Sequence, residues 1–215
     1  MSPAAIKMES TDSRNRRARI LNAAREMLID GGPDAVVMRD LAIAADVSVP
    51  TLYNMFGSKN GILAASMQEL HFDAIDRIRG DGKAQGFDHI LALLEGLRRE
   101  MAAIPVFARA TFQLYVTWVE ESDHRRFTNL EFAQGYLGCL REMRDAGELD
   151  TRLDIEVLAD VINNVVMHTA SDWAFGRLDL DGFVASAGRA IAYLLMGITS
   201  GTTKQKVETY LGLEA

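Results

Sequence analysis

Twenty-two consecutive residues, Met38 to Lys59, hold the side chains in this sequence whose types and spacing suit a defined chemistry. They read MRDLAIAADVSVPTLYNMFGSK. Leu41, Ala42 and Ala45 give a first short helix a thin apolar face of small residues, which permits a close helix crossing. Val47 falls in the turn, where it plugs the angle between two helices. Ser48 is placed to cap a helix over Val49 to Phe56, and Pro50 is tolerated in its first turn. Leu52 and Phe56, four residues apart, turn inward. At about 100° per residue, Pro50, Thr51, Tyr53 and Asn54 then project outward. Two short helices joined by a tight turn form a helix-turn-helix, whose second helix enters the major groove of DNA. The start of that helix directs backbone N–H groups and a positive dipole toward phosphate.

The elements around this segment are helical. The 215 residues include only four prolines, Pro3, Pro33, Pro50 and Pro105, which leaves long stretches free of helix breakers. Ile20, Ala24, Met27 and Leu28 recur at helical spacing after an arginine-rich start, and Gly31-Gly32-Pro33 stops that helix. Ser58 caps a fourth helix over residues 60–79, which ends at a glycine-containing linker, Gly80 to Gly86. Helices are then expected over 87–103, 106–121, 125–146, 155–176 and 180–198, followed by a polar, frayed tail. Alternating strand patterns bounded by turn residues are lacking. The expected fold is all-α, with a three-helix DNA-binding domain and a larger helical bundle. The expected boundaries are a disordered tail at 1–13, the helix-turn-helix domain at 14–60, the bundle at 61–200 and the tail at 201–215.

Composition bounds the class. With 48% hydrophobic residues, the chain can bury a sizeable core, and global disorder is excluded. One cysteine, Cys139, rules out an intramolecular disulfide or a Cys-rich zinc site. The four histidines, His71, His89, His124 and His168, have no metal-ligand spacing, so neither metal nor cofactor is expected. P-loop, G-x-S-x-G, H-E-x-x-H and dinucleotide-binding signatures are lacking, which argues against an enzyme. With no signal-peptide core and no long apolar run, a cytoplasmic location without membrane contact is expected. The net charge of −7 is unevenly spread. The first 60 residues carry eight Lys/Arg against seven Asp/Glu, a balance of +1, so the remainder carries −8. Acidity belongs to the body, and four arginines crowd into residues 14–19.

The stretch from Arg17 to Leu63 resembles the DNA-binding domain of the TetR family of transcriptional repressors. The likeness rests on R-x-x-I-L-x-A-A in the first helix and on R-D-L-A-x-A-A-x-V-S-x-x-T-L-Y-x-x-F-x-S-K through Lys59. A weaker echo is Ala146-Gly147-Glu148-Leu149 followed by Asp154. Two positions depart from the pattern. Val37 stands where the family often has a capping Thr, and Asp46 where it often has Gly; Asp tolerates the left-handed conformation better than most residues.

The resemblance implies roles for matching residues. Arg39 reaches a base edge or phosphate, with a bidentate guanine contact as its strongest option. Thr51 and Asn54 are the polar reading residues, and Val49 and Pro50 offer apolar contact to thymine methyls. Tyr53 and Lys59 match phosphate-binding positions. Arg14, Arg16 and Arg17 are either phosphate contacts or a solvated charge run. Ser48 is a helix cap first and a phosphate donor second.

The resemblance also implies a body that binds a small-molecule effector and dimerises. Phe107, Phe112, Tyr115, Trp118, Phe132, Tyr136, Met143, Met167, Trp173 and Phe175 are candidates for pocket lining or plain core. Gln113, Thr117, Cys139, Asn163, Asn164 and His168 are polar groups on apolar helices, the kind that orient a ligand. His168 also fits a core or interface histidine. The last two long helices, with small residues Ala185, Ala187, Gly188, Ala190 and Ala192, are the implied dimer surface. Two recognition helices about 34–36 Å apart would read a palindrome, and an effector that prefers a splayed dimer would release it. A fourth helix about 30 Å long would be the lever. The expected function is a homodimeric repressor of double-stranded operator DNA, released by a small molecule. The other readings are a DNA-binding regulator controlled by a partner protein, and an enzyme fused to a DNA anchor.

Overall fold

The computed structural model describes residues 11–66, 84–117 and 122–213, without side chains at 11, 111, 114–117 and 122–132. The chain divides into two units, Met1–Glu69 and Leu70–Ala215.

In the first unit, α1 spans Thr11–Ala35. Its buried stripe is Ile20, Leu21, Ala24 and Leu28, close to the spacing predicted. The continuous helix stops at Gly31-Gly32-Pro33, as the sequence predicts. Gly32 adopts φ 73° and ψ −170°, and one further turn to Ala35 follows the kink. A glycine supplies the positive φ, and Pro33 is tolerated because it opens that new turn. Helix α2 spans Met38–Ala44 and α3 spans Val49–Phe56. The described part of α4 covers residues 59–66, so the predicted remainder, and the lever built on it, lie outside the described residues. Leu41, Leu52, Ile62 and Leu63 complete this small core. The helix begins at residue 11, so residues 11–13 are not part of a disordered tail.

The second unit has α5 (Gly86–Ala103), α6 (Pro105–Thr117), α7 (Ser122–Asp145), α8 (Ile155–Ala174), α9 (Leu180–Met196) and α10 (Gly201–Leu211). Helix α8 packs against α6, α7 and α9. It buries Ile155, Ala159, Ile162, Val166, Ala170 and Trp173, a stripe at three- and four-residue spacing. Asp154 caps α8 by accepting from Glu156 N at 3.0 Å and Val157 N at 3.2 Å. Asp179 caps α9 through Gly182 N at 2.7 Å.

The predicted frayed tail from residue 200 is instead α10. Thr203 and Val207 are buried, and the Tyr210 ring meets Phe87 edge-on at 5.5 Å. These three share a face at i, i+4 and i+7, which polar neighbours conceal in the sequence. The first turn of α10 is capped from a distance by Glu148, and Gly212 closes its end at φ 69°. The turn before Glu148 needs Gly147 at φ 71°. Leu149 then forms an isolated antiparallel bridge with Thr199, flanked by Asp150 N to Ile198 O at 3.0 Å and Ser200 N to Glu148 O at 2.9 Å. The Ala-Gly-Glu-Leu run therefore ties the end of α7 to the start of α10.

Candidate nucleic-acid interface

The turn between α2 and α3 is held by its own backbone. Ala45 N donates to Leu41 O at 2.9 Å, Asp46 N to Ile43 O at 3.2 Å and Val47 N to Ala42 O at 3.0 Å. Asp46 takes the left-handed conformation, φ 53°, where a glycine would be unstrained. Val37 precedes α2 in extended backbone and offers no side-chain cap; Asp40 in the first turn complements the helix dipole.

Ser48 caps α3. Its Oγ accepts from Thr51 N at 3.3 Å and lies 2.8 Å from Thr51 Oγ1. This limits the anion-binding capacity of the helix start. Pro50 has no N–H and the Thr51 amide is taken, so of the first three helical residues only Val49 offers a backbone donor.

Around this frame Arg39, Ser48, Pro50, Tyr53 and Asn54 are exposed, and Val49, Thr51 and Lys59 are half-buried. Leu52 is fully buried, so its neighbours are turned outward by helical geometry. Each predicted residue of α2 and α3 is thus at least partly exposed to solvent.

The three arginines of α1 expected at phosphate differ. Arg14 is exposed. Arg16 is paired to Asp12 on its own helix at 2.6 Å. Arg17 lies over the Phe56 ring, 5.0 Å from its centroid. Neither contact is encoded in the motif pattern. Gly61 is a further residue that sequence reasoning passed over. A Cβ there would run into the Phe56 carbonyl oxygen. A glycine in the first turn of a helix, where it weakens the helix, is the signal for such a close approach.

In the second unit, Phe107, Phe112, Tyr136, Cys139, Met143 and Met167 are all buried. Phe112 meets Trp173 edge-on at 6.4 Å. Burial pushes the Cys139 thiol up to about 12 and raises the Tyr136 phenol, so both stay neutral. Gln113 Nε2 donates to Ala174 O at 2.9 Å. Beside it Arg109 donates to Trp173 O at 2.7 Å and stacks on the Trp173 ring at 4.5 Å. These two side chains of α6 satisfy the carbonyl end of α8, where a cation is favoured. Asn164 and His168 lie on the exposed side of α8, and the asparagine turned into the core is Asn163. Trp118 lies outside the described residues, as does the side chain of Thr117. A groove of about 440 Å³ between α5 and α10 is lined by Phe87, Asp88, Leu91, Lys206 and Tyr210 among others, and by none of the residues predicted to hold a ligand.

The small residues of α9 do not form one outward stripe. Ala187, Gly188 and Ala192 are buried inside the unit, and a Cβ on Gly188 would collide with the Tyr210 hydroxyl. On α8 and α9 the large apolar side chains left exposed are Val157, Val161, Tyr193 and Leu194, and Val106, Phe175 and Leu213 are exposed elsewhere in the unit.

The paired short helices, the capped turn and the exposed polar face define a helix-turn-helix protein. Residues 20–66 match the sequence model of the bacterial regulatory proteins of the tetR family. Within this segment the chain is thus similar to the DNA-binding domain of that family. It is similar to the HTH-type transcriptional repressor KstR of Mycobacterium tuberculosis, 34% identical over 110 residues, 50% of each protein. KstR of Rhodococcus jostii is 31% identical over 110 residues, 51% of each. The chain spans about half the length of these curated relatives. A TetR transcriptional regulator from Rhodococcus sp. RHA1 superposes with a TM-score of 0.69 at 24% identity, covering 86% of this chain and 97% of that one. FadR of Thermus thermophilus, solved in complex with lauroyl-CoA, gives 0.69 at 20% identity, covering 81% and 92%. At such identities these structures establish the all-helical fold.

Proposed function

We propose that the protein is a sequence-specific DNA-binding transcriptional regulator, a homodimeric repressor released from a palindromic operator by a small-molecule effector. The observation that carries this reading is the solvent-facing set Arg39, Pro50, Tyr53 and Asn54 around the Ser48-capped α3, within the segment that matches the family. In it Thr51 and Asn54 read base edges, Val49 and Pro50 touch thymine methyls, and Arg39, Tyr53 and Lys59 hold the backbone. Phosphate contacts fix register, and base contacts specify.

A single helix of eight residues reads too few base pairs, so the reading requires a pair. Val157, Val161, Tyr193 and Leu194 supply an exposed apolar face for the second copy. The effector site is assigned to the body, among Phe107, Phe112, Gln113, Tyr136, Cys139, Met143 and Met167. The relatives named above are regulators, and a role on bacterial DNA implies a cytoplasmic location.

The test is selection of duplexes from a random library by the full chain, followed by footprinting. Two half-sites about 34–36 Å apart support the reading. Equal affinity for every duplex overturns it. A thermal-shift panel of metabolites that includes acyl-CoA thioesters, with gel-shift release as readout, tests the effector. A panel without any stabilising ligand points to control by a partner protein.

A further inference from the structure

We infer that Arg17 is a positioning residue for the recognition helix, acting through Phe56 and not through a phosphate. The inference rests on the DNA-binding reading above and assigns a different part to one of its arginines.

Three observations meet at Phe56. Its ring carries the Arg17 guanidinium at 5.0 Å from the centroid. Its carbonyl oxygen sits where a side chain on Gly61 would have to go, so the end of α3 and the start of α4 are in direct backbone contact. Its helix ends there, because Gly57 follows at φ 74° and Tyr53 O closes the last turn with Gly57 N at 2.8 Å. Phe56 is therefore held from α1 by its ring and against α4 by its backbone.

Arg17 suits this task. A planar guanidinium stacks on an aromatic face and is weakly hydrated, so it keeps its charge while covering the ring. The side chain is half-buried, unlike Arg14, which is exposed on the same helix. Arg16 is already engaged by Asp12. The four crowded arginines of α1 thus divide into two exposed, Arg14 and Arg19, one paired along the helix and one stacked on the end of α3. A guanidinium lying on Phe56 fixes the rotation of α3 about its axis. That rotation decides whether Thr51 and Asn54 face the bases, because a change at the last turn moves every outward residue together.

A phosphate contact and a positioning contact leave different signatures. Removing a phosphate contact weakens binding to all sequences and lowers the salt slope by about one unit. Removing a positioning contact lowers affinity for the selected operator alone.

The experiment measures the affinity of the full chain for the selected operator and for a scrambled duplex across a salt series. It compares wild type, Arg17→Gln, Phe56→Leu and the double variant. Expected for Arg17→Gln are an unchanged salt slope, unchanged scrambled-duplex affinity and an operator preference reduced about three- to tenfold. Phe56→Leu should give a similar loss, and the double variant no more than either alone, since both remove one contact. Arg17→Lys, which keeps a cation over the ring, should recover part of the preference. Should Phe56→Leu fail to fold, Phe56→Trp replaces it and should retain the operator preference only while Arg17 is present. A salt slope lowered by about one unit in Arg17→Gln, or additive losses in the double variant, overturns the inference and leaves the DNA-binding reading standing. A wild-type chain that prefers no duplex overturns both.

Discussion

The Glu148 carboxylate holds the first turn of α10 through Thr203, whose hydroxyl donates to Oε2 at 2.6 Å and whose backbone N–H donates to the same oxygen at 3.0 Å. The other oxygen accepts from Thr202 N at 2.8 Å. A residue 54 positions earlier thereby does what an N-cap does locally. The residue that would normally cap, Ser200, makes no side-chain cap bond. Gly201, at φ 58°, leaves room for the carboxylate, since a Cβ there would approach Glu148 Oε1 to 2.8 Å.

This arrangement has a pH dependence of known sign. The Thr203 hydroxyl, followed by the Thr202 backbone, holds the Glu148 carboxyl below the usual glutamate range. A carboxyl depressed in the folded state contributes its stability fully above its unfolded pKa, about 4.3, and loses it as pH falls through the lower folded value. The anchorage of α10 is thus complete at neutral pH and fails on acidification. Glu148→Gln should lower stability at pH 7 by about 0.5–2 kcal/mol, as loss of a cap does. It should also remove part of the acid sensitivity. Thermal melts of both proteins between pH 7 and pH 3 check this; parallel curves across the range would count against it.

Gly61→Ala should destabilise the first unit. The added methyl meets backbone, not the flexible end of a side chain, so relief requires moving α3 or α4. A cost of about 1–3 kcal/mol is expected. Urea unfolding followed by helical circular dichroism measures it. Gly138→Ala, inside α7 where nothing lies within 4 Å, is the control and should be no less stable than wild type.

Thr51→Ala and Asn54→Ala should abolish preference for the selected operator while leaving the melting curve nearly unchanged. Asn54 is exposed, and Thr51 shares its cap with Ser48, so the fold depends little on either side chain. Gel shifts with operator and scrambled duplexes report the outcome. Unchanged operator preference would remove both from base reading.

Lys59→Ala should weaken binding to every duplex and lower the salt slope by about one unit, the mark of one lost phosphate contact. Fluorescence anisotropy from low to moderate salt measures the slope. An unaltered slope would take Lys59 off the backbone.

The bounds of α2 and α3 were legible because Ser48, Pro50 and the Leu41, Ala42 and Leu52 pattern are local signals. The left-handed turn at Asp46 was legible only through the family resemblance, which often has glycine at that position. What escaped the sequence depends on distant partners. Helix α10 looks polar along the chain, and its stability comes from Glu148 and Phe87, which arrive from α5 and the end of α7. The outward character of Asn164 and His168, against the inward Asn163, is a matter of helical phase that adjacent polar residues leave undecided. The pairing of Arg16 and the stacking of Arg17 separate two neighbours that the pattern treats alike.

The burial of Cys139 bears on how the protein can be studied. Its thiol is fully enclosed, donates to Gly135 O at 3.4 Å and is pushed up to about 12, so it presents no thiolate to attack maleimides or nitroxide reagents. As it is the only cysteine in the sequence, the native chain is silent toward such labels. One cysteine introduced at an exposed site away from the proposed dimer face, such as Asn54, would then carry the whole signal. Pulsed electron-spin or fluorescence-transfer distances between two copies could be recorded on an otherwise unaltered protein.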